Sequence, residues 1–485
     1  MTRQGNEPVL GIDFGTSNSA AALIGLNGQL NVIPLEGHAS AMPTALYFSH
    51  EDGRIEYGSV ALATYLKAAQ EQVVGGRLMR SIKSLLGSKL MDEQTLVNSQ
   101  LMRFFDIVVL FFKELKARSE AHIGQPVRRA MLGRPVHFVD DNPERDALAQ
   151  TTLARAAHAA GFESVAFQLE PIAAAFDFER RIAQDTTVLV VDIGGGTSDF
   201  TVIQLGPNRQ QHSDRSGDIL ATTGVHLGGT DFDRLLNLGC VMPFLGLGHT
   251  GPNGREVPNS VFFDLSTWHL IHHAYSRKSM HHATELWRSY TDRTLHQRLM
   301  HVLKERQGHQ ILTQVENAKI ECAMNHALAG IDLDCVEFEL TANLSPQLLQ
   351  SLLAHPLAAI VRCAQACVSQ AGIPRVDGVY LTGGSSALTP LVDRLQQAFP
   401  GADMIQGDRF GGVAAGLAWA GHVSGAHCPW RAPRSGALTE ASRYCSWPSS
   451  PCRWCGRSGR HFAGPWTWRR GRVCGPTPKL GAPLG

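Results

Sequence analysis

An aspartate that ends an apolar strand and opens a glycine-hydroxyl turn occurs twice in this chain, and that duplication narrows the folds open to it. Val9–Phe14 runs into Gly15-Thr16-Ser17-Asn18 and a second apolar run, Ala20–Leu26; Thr187–Ile193 runs into Gly194-Gly195-Gly196-Thr197 and then Phe200–Leu205. Each reads as strand, tight turn, strand. The leading aspartates, Asp13 and Asp192, lie 179 residues apart, so the repeated unit is domain-sized and not a solenoid turn. A chain of 485 residues has room for two such units, each with its own core. Two similar lobes facing each other across a cleft is the simplest arrangement.

The turns carry the chemistry of phosphate binding. Glycines let backbone N–H groups approach phosphate oxygens, hydroxyls donate to them, and an aspartate holds Mg2+ through water. Asp13 with Gly15, Thr16, Ser17 and Asn18 meets that description, and Asp192 with Gly194, Gly195, Gly196 and Thr197 meets it again. One glycine turn is ordinary in a hairpin; two matched turns led by aspartate are not. A third turn, Gly383-Gly384-Ser385-Ser386, follows the apolar strand Val376–Thr382 and precedes a helix over Pro390–Phe399, a setting in which backbone can pass close under a flat ligand or phosphate.

Between the turns the sequence predicts an Ala-rich helix over Leu148–Ala160, a strand over Glu163–Leu169 and a helix over Pro171–Arg181 with proline near its start. Gly228-Gly229-Thr230-Asp231-Phe232-Asp233 introduces another helix, and Phe410–Ala420 is the last well-patterned one. The most apolar helical stretch, Leu101–Phe112, is broken by Arg103 and Asp106 and is too short to cross a bilayer. Residues 246–310 read as irregular and then helical, with nine histidines, of which His269, His272 and His273 would share one helical face. That face reads as a polar surface and not as a metal site.

Five of these motifs, in this order, carry a resemblance: Gly11-Ile-Asp-Phe-Gly-Thr-Ser-Asn, Glu170-Pro-Ile-Ala-Ala-Ala, Val191-Asp-Ile-Gly-Gly-Gly-Thr-Ser-Asp-Phe, Leu227-Gly-Gly-Thr-Asp-Phe-Asp and Leu381-Thr-Gly-Gly-Ser. Residues 8–421 resemble the ATPase domain of the seventy-kilodalton heat-shock (DnaK-like) chaperones, and among them the short bacterial YegD-like members. The resemblance implies an α/β, actin-like ATPase fold with two RNase H-like lobes around a nucleotide cleft. Lobe I would span 1–186 with a subdomain inserted at about 41–126. Lobe II would span 187–404 with an insertion at about 230–334, and a C-terminal helix over 405–421 would return to lobe I. It implies ATP and Mg2+ as cofactors, ATP/ADP exchange, slow hydrolysis coupled to lobe movement, a role in the stress response, and unfolded protein clients or co-chaperones as partners. By resemblance Asp13, Asp192 and Glu170 would surround hydrated Mg2+, while Thr16, Ser17 and Thr197 would touch phosphate. Lys83 would help place the attacking water, supplying positive charge where the transferring phosphoryl group becomes negative. Glu316 and Lys319, three apart on one helix face, would contact ribose. Gly228, Gly229, Gly383, Gly384 and Ser385 would complete the ATP-binding shell. Pro135 and Arg145 resemble a hinge proline and its arginine partner, with two extra residues between them.

Three departures stand out. The family sets a cation on each face of adenine, where this chain has Ile320 and Ala387. A serine that touches the base is replaced by Ala323. A full chaperone continues into a peptide-binding domain, where this chain leaves only 64 residues after Gly421. A sugar kinase-like phosphotransferase shares the two turns, and a nucleotide-dependent scaffold or filament protein shares the fold. Lys83 in its Leu-Leu-Gly context favours the chaperone reading over both.

Composition sets the remaining bounds. Residues 1–421 hold 34 Lys/Arg against 42 Asp/Glu, an acidic balance that argues against nucleic acid as a partner. No signal-peptide core precedes Val9, so a cytoplasmic protein without a membrane partner is expected. Cys240, Cys322, Cys335, Cys363 and Cys367 show no ligand-like spacing and read as small buried hydrophobes of a reducing compartment. The tail, 422–485, differs: ten Lys/Arg against Glu440 alone, five Trp, eight Pro, nine Gly, and no Ile, Met, Asn, Gln or Asp. Cys452 and Cys455 are half of a zinc knuckle without its second half. The composition is that of a GC-rich coding region read out of frame, and the tail is expected to be disordered.

Overall fold

The computed structural model describes residues 7–25, 28–70, 76–97, 100–140, 142–209, 216–408 and 411–424. The expectations for the tail, including the zinc half-site, lie outside the described residues from 425 onward, and 422–424 continue the last helix.

Each turn-bearing strand sits at the centre of its own sheet. Val9–Phe14 pairs antiparallel with Asn18–Ile24, which pairs antiparallel with Leu30–Val32; on its other side lie Arg129–Arg134 and Ser164–Leu169, both parallel. Thr186–Ile193 repeats the arrangement with Ser198–Leu205 and Ile219–Val225 antiparallel, then Gly378–Thr382 and Asp403–Gln406 parallel. The internal repeat is thus a repeat of strand order and direction as well as of sequence. Parallel strands need crossovers, and helices supply them, which is why both central strands are apolar along almost their whole length.

Two helices join the halves. Glu170–Glu179 and Gly412–Ser424 pack on each other; Gly412–Ser424 covers the first sheet and Glu170–Glu179 the second. The contact is close because small residues face it. Ala173, Ala174 and Ala175 are fully buried there among Val188, Val190, Tyr380 and Leu417.

Some element boundaries differ from the sequence reading for visible reasons. Leu101 lies in a strand, Gln100–Arg103, paired with Gln94–Val97; the helix starts only at Phe104 and runs to Ile123, where Gly124 caps it at φ +77°. Cross-strand pairing overrode an apolar pattern that suited either element. The helix expected over 148–160 begins five residues earlier, at Pro143, because Asn142 caps it by accepting from the Arg145 amide. Ile271–Ala274 is a helix of only four residues, so His269 stands outside it and the three histidines do not share a helical face. Of the five body cysteines, all free, four are buried and Cys335 is half-buried.

A side chain at Gly416 would place its Cβ 1.7 Å from the Ala173 carbonyl oxygen. Gly416→Ala should therefore separate the joining helices and cost about 1–3 kcal/mol or more. Gly217→Ala, where a Cβ meets nothing, should leave the thermal midpoint unchanged. Equal midpoints for the two variants in a thermal melt would contradict this packing.

Candidate functional site

The two glycine turns meet face to face. A Cβ at Gly195 would lie 2.3 Å from Ser17 Oγ, and one at Gly196 would lie 2.9 Å from Thr16 Oγ1. These glycines are needed for close approach between the halves and not for an unusual φ. Gly383 needs both: φ is +83°, and a Cβ there would strike Asp192 Oδ1 at 2.5 Å.

The second turn is braced from behind. The first amides of the helix Gly229–Cys240 have no intrahelical acceptors. Gly229 N–H donates to Gly194 O at 3.0 Å, and Thr230 donates to Gly195 O through its N–H at 2.8 Å and its hydroxyl at 2.7 Å. Gly228 packs on the Gly195 carbonyl carbon, 2.6 Å from where its Cβ would be. Ser385 N–H donates to Ile193 O at 3.0 Å, bringing the third turn alongside.

Between the turns lies a cavity. Asp13, Thr16, Ser17, Lys83, Glu170, Asp192 and Thr197 line its deep end; Glu316 and Lys319 line one wall; Ile320, Ala323, Met324, Ala387 and Leu388 line the outer end. Gly15, Asn18, Gly194, Gly195, Gly229, Gly383, Gly384 and Ser385 also line it, while Gly196 and Gly228 sit one step behind the surface.

Acidic groups dominate the deep end. Lys83, on the short 3-10 helix Ile82–Leu85, is buried and donates to Glu170 Oε1 at 2.8 Å. Glu170 is held there as the first residue of its helix. Burial, with the Glu170 charge added to it, lifts the Asp13 carboxyl to about 7. The same two causes lift Asp199 to about 7 and Asp192 well above the usual carboxylate range. Burial works to lower the Lys83 ammonium, but Glu170 and Asp13 outweigh it and the net shift is upward. Four carboxyl groups sharing one lysine is the donor set of a site that takes a cation. Among the described residues, no three His, Cys, Asp or Glu side chains come close enough to bind a metal directly. The carboxylates therefore fit a hydrated Mg2+ contacted through its water shell.

With this geometry in place, the comparisons are specific. The Hsp70 protein family model matches residues 9–244. Over that stretch the chain resembles the Hsp70 family. Chaperone protein DnaK of Thermosipho melanesiensis is 32% identical over 232 residues, 47% of this chain and 35% of its own length. The DnaK of Methanothermobacter thermautotrophicus is 30% identical over 236 residues, again 47% and 35%. A Chaperone protein HscA homolog of Rickettsia typhi is 25% identical over 394 residues, 80% of this chain and 53% of its own length. The chain thus spans about a third to a half of the curated relatives it matches. Hsp70 proteins are ATPases of the actin-like fold, and the α/β architecture described above is that fold. Among the described residues, no single helix is long and apolar enough to cross a membrane.

Within this Hsp70 frame one expected pairing is corrected. Arg145, expected beside the hinge proline, donates from its Nε to Gly87 O at 2.9 Å, in the loop after Lys83. The arginine beside the proline is Arg134, which donates to Pro135 O at 3.0 Å and pairs with Asp146 at 2.8 Å. Asp199 carried no expected role, although it closes the second motif. Its Oδ1 accepts from Val136 N–H at 2.7 Å and so ties the segment after Pro135 to the second sheet. A motif-ending acid was the available signal; its partner, 63 residues away, was not.

The wall residues are already engaged, and not with each other. Glu316 pairs with Arg80 at 2.9 Å, and Lys319 pairs with Asp233 at 2.6 Å. Arg80 also lies over the Trp268 ring at 4.1 Å, and Trp268 Nε1 donates to Asp233 Oδ2 at 3.3 Å. His309 is buried beside this group, 3.3 Å from the Tyr65 hydroxyl. Burial first, and then the Arg80 and Arg77 cations, hold the His309 ring down to about 3.

The folded chain thus resists a proton that the unfolded chain takes up near 6.5. Stability from the neutral ring is intact above that value and is lost as pH falls from it towards 3, by at most about 1.4 kcal/mol per pH unit. His269 and His272 are shifted in the same direction, so the comparison must be with a single variant. His309→Gln should lose less stability than the parent between about pH 7 and about pH 5 in urea unfolding. Parallel losses would show that His309 titrates normally in the folded chain.

Proposed function

We propose that this protein binds Mg-ATP in the cleft between its two sheets, hydrolyses it slowly, and uses lobe closure around the nucleotide as its output in a chaperone role. The observation that supports this best is the placement of Lys83 and Glu170, ion-paired at 2.8 Å, at the end of the cavity where the two glycine turns meet.

On this reading the amides of the two turns, with the Thr16, Ser17 and Thr197 hydroxyls, bind the phosphate oxygens. Asp13, Glu170 and Asp192 would hold Mg2+ through its water. Bound there, Mg2+ would supply positive charge against the phosphate oxygens. Lys83, kept charged by Glu170, orients the attacking water and offsets the charge that develops on the departing phosphoryl group. Glu316 and Lys319 contact ribose once the nucleotide competes with Arg80 and Asp233, and Pro135 serves as the hinge. We further propose unfolded protein clients or co-chaperones as partners and a cytoplasmic location, in line with the named relatives.

Asp192→Asn and Lys83→Ala should each lower ATP turnover by on the order of 100-fold or more while the fold persists. Phosphate release assays on the full chain, with and without a panel of sugars, test the reading. Parental rates in both variants would refute the site assignment, and turnover that requires a sugar would favour the kinase alternative.

The outer end should read the base poorly. Ile320, Ala323, Met324, Ala387 and Leu388 line it, and none of these side chains carries charge. Two cation–π contacts, each worth about 0.5–2 kcal/mol, are missing relative to the family pattern. ATP affinity should therefore be weaker by about one to three decades than with both contacts, and GTP should compete with it. Calorimetric titration showing nanomolar ATP and rejection of GTP would overturn this expectation.

A further inference from the structure

Thr44 lies outside the cavity lining and is fully buried, yet its amide and its hydroxyl proton are both given to the first glycine turn. Its hydroxyl donates to Gly15 O at 2.8 Å, and its amide donates to Ser17 O at 2.9 Å. A hydroxyl has one proton, so the 2.8 Å contact with Ser19 Oγ must be donated by Ser19. Thr44 thus receives one hydrogen bond and makes two, each reaching 27 or 29 residues back along the chain.

We propose that Thr44 is a positioning residue that sets which way the amides of the first phosphate turn point. In a trans peptide the C=O and the following N–H face opposite ways. Pinning the Gly15 and Ser17 carbonyls behind the turn therefore commits the Thr16 and Asn18 amides to the side away from Thr44, where the cavity lies. The second turn is set the same way by a different device: the Gly194 and Gly195 carbonyls are taken by the Gly229 and Thr230 amides and the Thr230 hydroxyl. Both clamps combine backbone N–H with one threonine hydroxyl. One comes from a helix start in the same half; the other is a lone residue between the strands Ala41–Pro43 and Ala45–Ser49. Preset donors cost no reorganisation when a phosphate arrives, which is how such a turn discriminates for polyphosphate.

The inference rests on the nucleotide reading above, and the test separates the two. Affinities for ATP, ADP and AMP are measured by calorimetry on the full chain for the parent, Thr44→Val and Thr44→Ser. Thr44→Val keeps the shape but not the hydroxyl. It should lose about tenfold or more in ATP and ADP affinity, with AMP changed far less. Thr44→Ser should restore ATP and ADP to within about threefold of the parent. If Thr44→Val does not fold, Thr44→Cys, a weaker donor of similar size, should show the same selective loss. Equal losses for ATP and AMP, or no loss, would overturn the positioning role, because a merely structural defect weakens every nucleotide alike. A parent that binds ATP but tolerates Thr44→Val leaves the nucleotide reading standing and removes the clamp. A parent that binds none of the three overturns both.

Discussion

Lys83 sits among more negative charge than it can neutralise, and much of the structure follows from that imbalance. It pairs with Glu170 at 2.8 Å, while burial and mutual repulsion raise Asp13, Asp192 and Asp199. Such a cluster is unfavourable in a core that must stand alone, because removing carboxylates from water is costly unless cations or protons compensate. On the proposed reading it becomes tolerable because a divalent cation bound with a polyphosphate would offset the charge. The rest of the molecule places these acids: Asp13 and Asp192 at the ends of central strands, and Glu170 at the first turn of a helix wedged between the sheets. The two halves differ in sequence almost everywhere except where they aim at this point.

The halves also show how one turn can be supported in two ways. Each sheet repeats three antiparallel and two parallel strands. Each ends its central strand in aspartate and glycine. Yet the second turn is braced by a helix start within 36 residues, and the first by a residue between two short strands. The duplication therefore preserves the surface that faces the ligand and not the scaffold behind it. The strand that follows Thr44, Ala45–Ser49, pairs with Gly76–Arg80, so the sheet beside the first turn also reaches the Glu316 wall through Arg80.

What the sequence displayed was what glycine and aspartate announce locally. The turns at Gly15 and Gly194 were legible because a strand ending in aspartate before glycines has few other uses. Lys83 was legible only through family resemblance, since its environment is made by residues 70 to 116 positions away. Thr44 and Arg134 left no local trace, and Asp199, visible as the acid that ends the second motif, did not disclose its partner: these roles are side-chain bonds to distant or merely adjacent backbone, and no periodicity records such bonds. Leu101 was misread because a run of apolar residues fits a hairpin and a helix equally until its cross-strand partner is known. The bond from Arg145 to Gly87 O was not legible either, because spacing to Pro135 does not contain the helix cap at Asn142.

The cavity's wall shows the same dependence on partners across the cleft. Glu316 and Lys319 sit three apart on one helix, the spacing of a local ion pair, yet each is bound elsewhere, to Arg80 and to Asp233. Trp268 ties those two partners together, lying under Arg80 and donating to Asp233. Arg80 ends the strand Gly76–Arg80, which precedes the second turn-bearing strand in the chain, while Glu316, Trp268 and Asp233 follow it. A ligand hydroxyl that engages Glu316 must therefore displace or share a contact that holds the halves together. On the proposed reading, binding at this wall and closure of the cleft would draw on the same few side chains, so each would bias the other.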